Sequence, residues 1–390
     1  MNTLQKILVK LAVVLIAFFS SEPTARAQQI GHTTVTFTDS TRNNRQIPAE
    51  VYYPSSAAGD NTPILLGNFP LIVYGHGFLM TWSAYQNIWT DLVTQGYIVV
   101  FPKTEGGFAP QHAEFGKDIS FLISYIPQYG ASSVVPASSV SGRSAIMGHS
   151  MGGGSGFLAA EMNTSATTLV TFAAANTNPS SIEAARKLSL PMLVFSGSND
   201  CVAPPAQHQN IMYDSAASEY KTQIYIKGGG HCFFADNNIN CSLGESTCTP
   251  TPTISRAQQQ SATSDLMKLW LGYFLKDDIY SAQRFQDSLN SSSRITFRQK
   301  LPLVQPVSIP KALASAQGIA VYLNRVLETV RMESTSEPIS TVTVVDAMGS
   351  SMLVYDSYPS SEVSFDISLL KAGIYSVIVN KRHCRKLLVN

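Results

Sequence analysis

Apolar and polar positions recur in two patterns between residues 30 and 300 of the chain. Short, nearly continuous apolar runs predict buried strands, and longer segments with apolar residues every three or four positions predict amphipathic helices. The predicted strands are residues 46–53, 69–74, 97–101, 144–147, 168–174, 191–196 and 222–226. The predicted helices are residues 85–95, 114–129, 152–162 and 258–275. This alternation predicts the α/β class, with a doubly wound, mainly parallel sheet covered by helices on both faces.

The pattern changes after residue 300, and we expect the α/β domain to occupy residues 28–300. Pro302, Pro306 and Pro310 interrupt a stretch of little periodicity, which predicts a linker over residues 301–315. Short strands separated by turn residues then follow, at residues 342–345, 352–355, 363–365 and 375–379. They predict a small C-terminal β-sandwich over residues 316–390, and it contains no cluster of catalytic residue types.

The first 27 residues have the pattern of a secretory signal peptide. Lys6 and Lys10 precede an apolar run over residues 11–19, and a small-x-small cleavage pattern ends at Ala27. The apolar run has about half of the roughly 20 residues that a membrane-spanning helix needs, and no other segment could span a bilayer. We therefore expect removal of residues 1–27 and a secreted protein, extracellular or at the cell surface.

Composition narrows the substrate class. The chain has 27 Lys and Arg against 26 Asp and Glu, without a basic run interleaved with aromatic residues, so nucleic acid is not an expected partner. The apolar content of 44% is enough for a full hydrophobic core. We expect a monomer that acts without a cofactor on a substrate of low charge.

A nucleophile motif lies between a predicted strand and a predicted helix. Gly148-His149-Ser150-Met151-Gly152 is a G-x-S-x-G sequence, and this strand–turn–helix context gives the motif its meaning. A tight turn there would project the Ser150 hydroxyl above the strand ends. The backbone N–H of Met151, at the start of the helix, would face a developing oxyanion.

Serine needs a base and a carboxylate that orients the base, and in this type of fold the chain order is Ser, then Asp or Glu, then His. Of the histidines after Ser150, His231 follows a predicted strand on a glycine-rich loop, whereas His208 lies in a predicted helix and His383 in the C-terminal unit. Asp200 follows the preceding strand and is the predicted acid. The rejected acids lie in helices or beyond the base, at Asp214, Asp236 and Asp265.

The second oxyanion donor is expected in the loop after the strand at residues 69–74. Gly75 and Gly77 would let this backbone approach the substrate, and Phe78 is the predicted donor of the N–H group. His76 lies in the same loop but precedes the nucleophile in the chain. We expect it to pack beneath the loop, without a catalytic or metal-binding role.

Four cysteines cluster around the predicted acid and base, and an oxidising compartment favours their pairing. None of their spacings is C-x-x-C, so a metal site is not predicted. The triad would bring Cys201 and Cys232 together, which predicts a bridge between them and a second bridge between Cys241 and Cys248. The alternative is a local bridge from Cys232 to Cys241 that leaves Cys201 free. Cys384 lies far away in the sequence.

Three motifs resemble one branch of the α/β-hydrolases. Residues 148–154, the Ser198-Asn199-Asp200 segment with Ala203-Pro204, and Gly229-Gly230-His231 resemble the dienelactone-hydrolase-like branch that includes cutinases and polyester (PET) hydrolases. The resemblance covers roughly residues 70–277 and implies Phe78 and Met151 as backbone oxyanion donors. It also implies polyesters as one substrate class, although residues 175–179 lack the tryptophan that lines the site in polyester-degrading members.

The C-terminal unit separately resembles the sorting domain of the type IX secretion system of Bacteroidota. The residues that carry this resemblance are 345–349, 365–375 and 385–389. The resemblance implies the type IX secretion machinery as a partner. A carbohydrate-binding or adhesion module is the alternative.

Taken together, these residues predict a serine carboxylic-ester hydrolase that works through an acyl-enzyme. Only about 15 residues separate the strands ending near residue 175 and beginning at residue 191, which leaves no room for a lid. An open site suits short-acyl or polymeric esters. The alternatives are a lipase, a peptidase, a lactone hydrolase, and an inactive scaffold that binds surfaces.

Overall fold

The structure is a computed structural model that describes residues 28–303, 318–324, 329–335, 337–371 and 373–389. The predicted signal peptide and most of the predicted linker lie outside these residues. The strands of the first part are β1 (Gln29–Asp39), β2 (Arg45–Ser55), β3 (Gly59–Asp60), β4 (Phe69–Gly75), β5 (Ile98–Pro102), β6 (Val140–His149), β7 (Thr168–Phe172), β8 (Met192–Gly197), β9 (Lys221–Ile226) and β10 (Ile295–Gln299). The helices are α1 (Gln86–Val93), α2 (His112–Tyr129), α3 (Met151–Met162), α4 (Ser181–Ala185), α5 (Gln209–Ser215), α6 (Ile239–Glu245), α7 (Arg256–Lys276) and α8 (Ile279–Ser291).

Strands β1 to β10 form one ten-stranded sheet in the order β10-β9-β8-β7-β6-β4-β5-β2-β1-β3. Strands β4 to β9 pair parallel with one another, whereas β2 pairs antiparallel with β1 and β5, and β10 pairs antiparallel with β9. The chain passes from β4 to β5 on one side and then to β6 on the other side of β4. In such sheets, this change of direction in the strand order leaves a crevice at the carboxyl ends of β4 and β6.

Strands β4, β5, β7 and β8 are buried at almost every position because helices cover both faces of the sheet. Ile72 and Tyr74 of β4 belong to a core cluster shared with α1, α7 and α8. Leu71 and Val73 of the same strand belong to a second cluster, shared with α2 to α5. The alternation of strand side chains between these two cores confirms the predicted α/β-hydrolase fold class.

All of the predicted strands and helices are present, with ends that differ by a few residues. The sequence did not predict β1, β3, α4, α6, α8 or β10, nor three strands of the C-terminal region at residues 319–324, 329–334 and 383–389. Strands β1 and β10 lie towards the edges of the sheet, where mixed polar and apolar positions give a weaker signal than a continuous apolar run. Within the described residues, no helix is long and apolar enough to cross a membrane.

The C-terminal region is separate from the large sheet and wholly antiparallel. Its strands are β11 (Ile319–Asn324), β12 (Thr329–Ser334), β13 (Ile339–Val345), β14 (Ser351–Ser360), β15 (Glu362–Asp366), β16 (Gly373–Val379) and β17 (His383–Val389). They form a three-stranded sheet, β11-β12-β15, and a four-stranded sheet, β14-β13-β16-β17. Side chains from both sheets share one core, which confirms the small β-sandwich.

Candidate active site

The turn between β6 and α3 places Ser150 at the crevice. Ser150 has a φ of +54°, a backbone conformation that residues with a side chain rarely adopt. The close packing around it requires glycine at two positions. A Cβ atom on Gly148 would lie 2.5 Å from the carbonyl oxygen of Gly152, and one on Gly152 would lie 2.1 Å from that of Gly75. The sharp turn therefore depends on the two glycines of the motif.

The structure brings the predicted nucleophile, base and acid together from three loops. His231 Nε2 lies 2.9 Å from Ser150 Oγ, and His231 Nδ1 lies 2.8 Å from Asp200 Oδ2. The side chains of Asp200 and His231 are buried, while Ser150 is half-buried and reaches the surface. With the His231 proton on Nδ1, this N–H donates a hydrogen bond to Asp200, and the Nε2 lone pair faces the serine hydroxyl, which is the arrangement needed for proton abstraction.

The loop after β8 holds the Asp200 carboxylate in place. Its Oδ1 atom accepts hydrogen bonds from the backbone N–H groups of Val202 and Ala203, at 2.9 and 2.8 Å. The other oxygen is thereby left to His231. These two bonds fix the plane of the carboxylate and hence the plane of the imidazole that it contacts.

Three side chains that the sequence analysis missed hold the loop that carries His231. The Gln259 side chain accepts a hydrogen bond from the Gly230 N–H and donates one to its carbonyl, each at 2.9 Å. Glu245 accepts the Cys232 N–H at 3.1 Å, and the Arg256 guanidinium donates to the Cys232 carbonyl. Gln259 and Arg256 belong to α7, where an ordinary helix composition gave no signal for this role.

The two predicted oxyanion donors come from two different segments of the chain. Met151 begins α3, and Phe78 lies in the loop after β4, and both line the same cleft as Ser150. His76 is buried beneath this loop, with Nε2 2.9 Å from the Thr104 carbonyl oxygen. Burial lowers the pKa of His76, so the ring stays neutral and supports the loop without adding charge.

The cleft at Ser150 is open and has a volume of about 370 Å³. Only the five-residue helix α4 lies between β7 and β8, so this connection forms no lid over the cleft. The cleft contains no Asp, Glu, Lys or Arg side chain among its lining residues. These are Phe78, Pro110, His112, Ser150, Met151, Ala175, Asn176 and Thr177. An uncharged substrate suits this lining.

The predicted disulfide pairing is wrong, although all four clustered cysteines form bridges. Cys201 pairs with Cys248 and Cys232 pairs with Cys241, with Cα–Cα distances of 5.3 and 5.7 Å. The alternative pairing was right about the local bridge but wrong to leave Cys201 free. Cys241 does not pair with Cys248, because residues 241–245 continue α6 in place of the return loop that this bridge would need. Cys384 is exposed and free.

The fold, the switch-point crevice and the Ser–Asp–His chain order define an α/β-hydrolase. The chain matches the PET hydrolase-like family (PETase) over residues 21–248, more than half of its length, and it belongs to this family. It is also similar to the bis(hydroxyethyl) terephthalate hydrolase of Streptomyces coelicolor, with 28% identity over 195 residues. That alignment covers 50% of this chain and 58% of the relative's length.

The disulfides generate a prediction about stability. The Cys201–Cys248 bridge spans 47 residues and the Cys232–Cys241 bridge spans 9. By the chain-entropy model, removing the first as Cys201→Ser with Cys248→Ser should cost about 4 kcal/mol, against about 2.5 kcal/mol for Cys232→Ser with Cys241→Ser. Chemical denaturation of the two double variants measures the difference. Non-reducing peptide mapping checks the pairing itself, and a fragment joining Cys201 to Cys232 would contradict it.

Proposed function

We propose that this protein is a secreted serine carboxylic-ester hydrolase. In this proposal Ser150 is the nucleophile, His231 the general base and acid, and Asp200 the residue that orients His231. The observation that carries the proposal is the continuous hydrogen-bonded path from Asp200 through His231 to Ser150, at the mouth of an open cleft. Membership of the PET hydrolase-like family supports ester chemistry.

The geometry supports a two-stage mechanism. Ser150 Oγ attacks the ester carbonyl carbon while His231 Nε2 takes the hydroxyl proton, and the carbonyl oxygen becomes an oxyanion facing the N–H groups of Phe78 and Met151. Collapse of this intermediate breaks the bond to the leaving alcohol, which takes the proton from His231. Water then attacks the acyl-enzyme, again giving its proton to His231, and the carboxylic acid is released as Ser150 regains its proton.

No cofactor takes part in these steps. The residues that line the cleft indicate the substrate class. Phe78, Met151 and Pro110 offer apolar contacts, and Asn176 and Thr177 offer polar groups on one side. Short-acyl esters and the ester units of an aromatic polyester fit an open, uncharged site of this kind. The relative from Streptomyces coelicolor is a hydrolase of a terephthalate ester, which supports the same class.

An apolar rim supports a polymeric substrate. We define this rim as Phe78, Val202, Ile239 and Leu243, four exposed apolar side chains on two loops and helix α6. Ile239 and Leu243 of α6 are 74% and 66% exposed. Helix α6 contacts both neighbouring loops, since Asn240 donates to the Leu79 carbonyl at 2.7 Å and Gly244 packs near Val202. A polymer chain that enters the cleft would extend over this rim.

Substitutions of the nucleophile and the base test the proposed chemistry. Ser150→Ala and His231→Ala should each lower kcat/KM for p-nitrophenyl acetate by roughly 10³-fold or more, because neither group can replace the other. Ser155→Ala is the matched control, since Ser155 lies on α3, is buried and has no hydrogen-bond partner among the described residues. Near-parental turnover in a folded Ser150→Ala variant would refute the assignment, and so would an absence of turnover in the parent on a panel of short-acyl, long-acyl and lactone esters.

Substitutions on α6 test the apolar rim. Ile239→Ser with Leu243→Ser should reduce adsorption to a polyester film about 30-fold or more, because burying the exposed part of each side chain contributes about 1 kcal/mol or more. Turnover of soluble p-nitrophenyl acetate should not change. Met162→Ser is the control, because Met162 is exposed at the far end of α3, about 16 Å from its start. Equal film binding by both variants would exclude the rim.

Export is the last part of the proposal. We infer removal of residues 1–27 and recognition of residues 316–390 by type IX secretion machinery, with the active enzyme outside the cell or on its surface. The two disulfides support an oxidising compartment. Amino-terminal sequencing of protein collected from the culture medium should therefore begin at Gln28. Retention of Met1 in exported protein would contradict the inference.

A further inference from the structure

Tyr85 is a fully buried side chain behind the oxyanion loop. It ends the short 3-10 turn Trp82–Tyr85, just before α1. The Gly77 N–H, one residue before Phe78, donates a hydrogen bond to the Tyr85 hydroxyl oxygen at 2.8 Å. The same oxygen lies 3.0 Å from His149 Nδ1. One hydroxyl group thus contacts both the oxyanion loop and the nucleophile elbow.

His149 continues this connection to the base. It directly precedes Ser150 and is fully buried, and its Nε2 atom lies 3.0 Å from the main-chain carbonyl oxygen of His231. The His149 and His231 rings are 4.8 Å apart between centroids. Neither Tyr85 nor His149 lines the cleft at Ser150, so neither touches a substrate there.

The Tyr85 hydroxyl also lies 3.3 Å from Met80 Sδ, but a thioether is a weak acceptor, so one arrangement of protons satisfies these contacts best. Burial and the nearby His231 ring hold the pKa of His149 well below its usual value, so the His149 ring is neutral and carries a single N–H. The His231 carbonyl can only accept, which places that N–H on Nε2. The lone pair on Nδ1 then accepts the Tyr85 O–H, while a Tyr85 lone pair accepts the Gly77 N–H.

We propose that Tyr85 and His149 are positioning residues that hold the oxyanion loop, the nucleophile elbow and the main chain of the catalytic base in one hydrogen-bonded unit. This inference rests on the proposed function. The three bonds join parts of the chain that supply the oxyanion donor, the nucleophile and the base. Their joint position determines how well a tetrahedral intermediate fits between Ser150 and its oxyanion donors.

The test compares two tyrosine hydroxyls in the same core. Tyr85→Phe removes the hydroxyl that makes the bonds. Tyr74→Phe is the matched control, because the Tyr74 ring lies 4.8 Å from that of Tyr85 and its buried hydroxyl has no partner among the described residues. Tyr85→Phe should lower kcat for a soluble ester about 10- to 100-fold with KM within about twofold, since small misplacements of reacting groups cost this much. Tyr74→Phe should keep parental kcat.

A double variant separates positioning from general loosening of the core. Tyr85 and His149 act in one chain of bonds. The kcat of the double variant Tyr85→Phe with His149→Phe should therefore be no lower than that of the less active single variant. Multiplying losses would indicate independent structural roles and would overturn the proposal. Equal kcat in Tyr85→Phe and Tyr74→Phe would also overturn it.

A spectroscopic measurement on the parent protein keeps the test independent of turnover and of variant folding. Nitrogen-15 NMR of the imidazole rings should show His149 neutral, with its proton on Nε2, at pH 7. A proton on Nδ1, or a charged ring, would overturn the proposal. If the parent hydrolyses no ester but His149 has the expected proton, the proposed function fails while the hydrogen-bonded unit stands.

Discussion

The backbone turn at Ser150 is the constraint on which the rest of this active site depends. A positive φ on a residue with a side chain costs on the order of 1–3 kcal/mol and persists only where the surroundings hold it. The Ser150 N–H donates to the Phe172 carbonyl at 2.9 Å, and the Ser150 carbonyl accepts from the N–H groups of Gly154 and Ala175, each at 3.0 Å. Bonds to β7 and the loop after it thus hold the turn within the packed sheet. The strained position is what presents the hydroxyl to the crevice.

The base reaches this hydroxyl because residues far along the chain hold its loop. His231 follows a run of three glycines that would be flexible alone. Gln259 and Arg256 come from α7, and the Cys232–Cys241 bridge joins the residue after the base to α6. The acid loop is tied at Cys201 to Cys248, beyond the same helix. Helix α6 therefore couples the loops of the acid and the base, and it carries two of the apolar side chains of the rim.

The hydrogen-bonded unit of Tyr85 and His149 adds buried contacts to those that hold the acid and base loops. The loops of the triad are braced by two disulfides and by polar side chains of α7. Next to Ser150, the neutral Tyr85 hydroxyl and His149 ring hold the loops instead. A buried charge there would be costly and would alter the electrostatics of the base. A single hydroxyl with one donor and two acceptor positions satisfies the backbone and the ring together.

Local patterns were enough to predict the strands and helices of the central sheet, the strained serine turn and the loops of acid and base. A few adjacent residues specify each of these features. They are an apolar run, the G-x-S-x-G motif, or a carboxylate or histidine in the loop after a strand. Parallel strands end at one edge of the sheet, so these local signals also predicted which side chains would meet.

Contacts between distant segments were decided only by the tertiary structure. The disulfide pairing depended on whether the residues after Cys241 form a return loop or continue α6 to Glu245, since the chain beyond the helix places Cys248 next to Cys201. The bonds of Gln259 to Gly230, and of Tyr85 to Gly77 and His149, join residues whose types fit many other surroundings equally well. A side chain's hydrogen-bond partner is set by the packing of whole elements. The sequence alone therefore determined the chemistry and its order along the chain, while the tertiary structure decided how that chemistry is held in place.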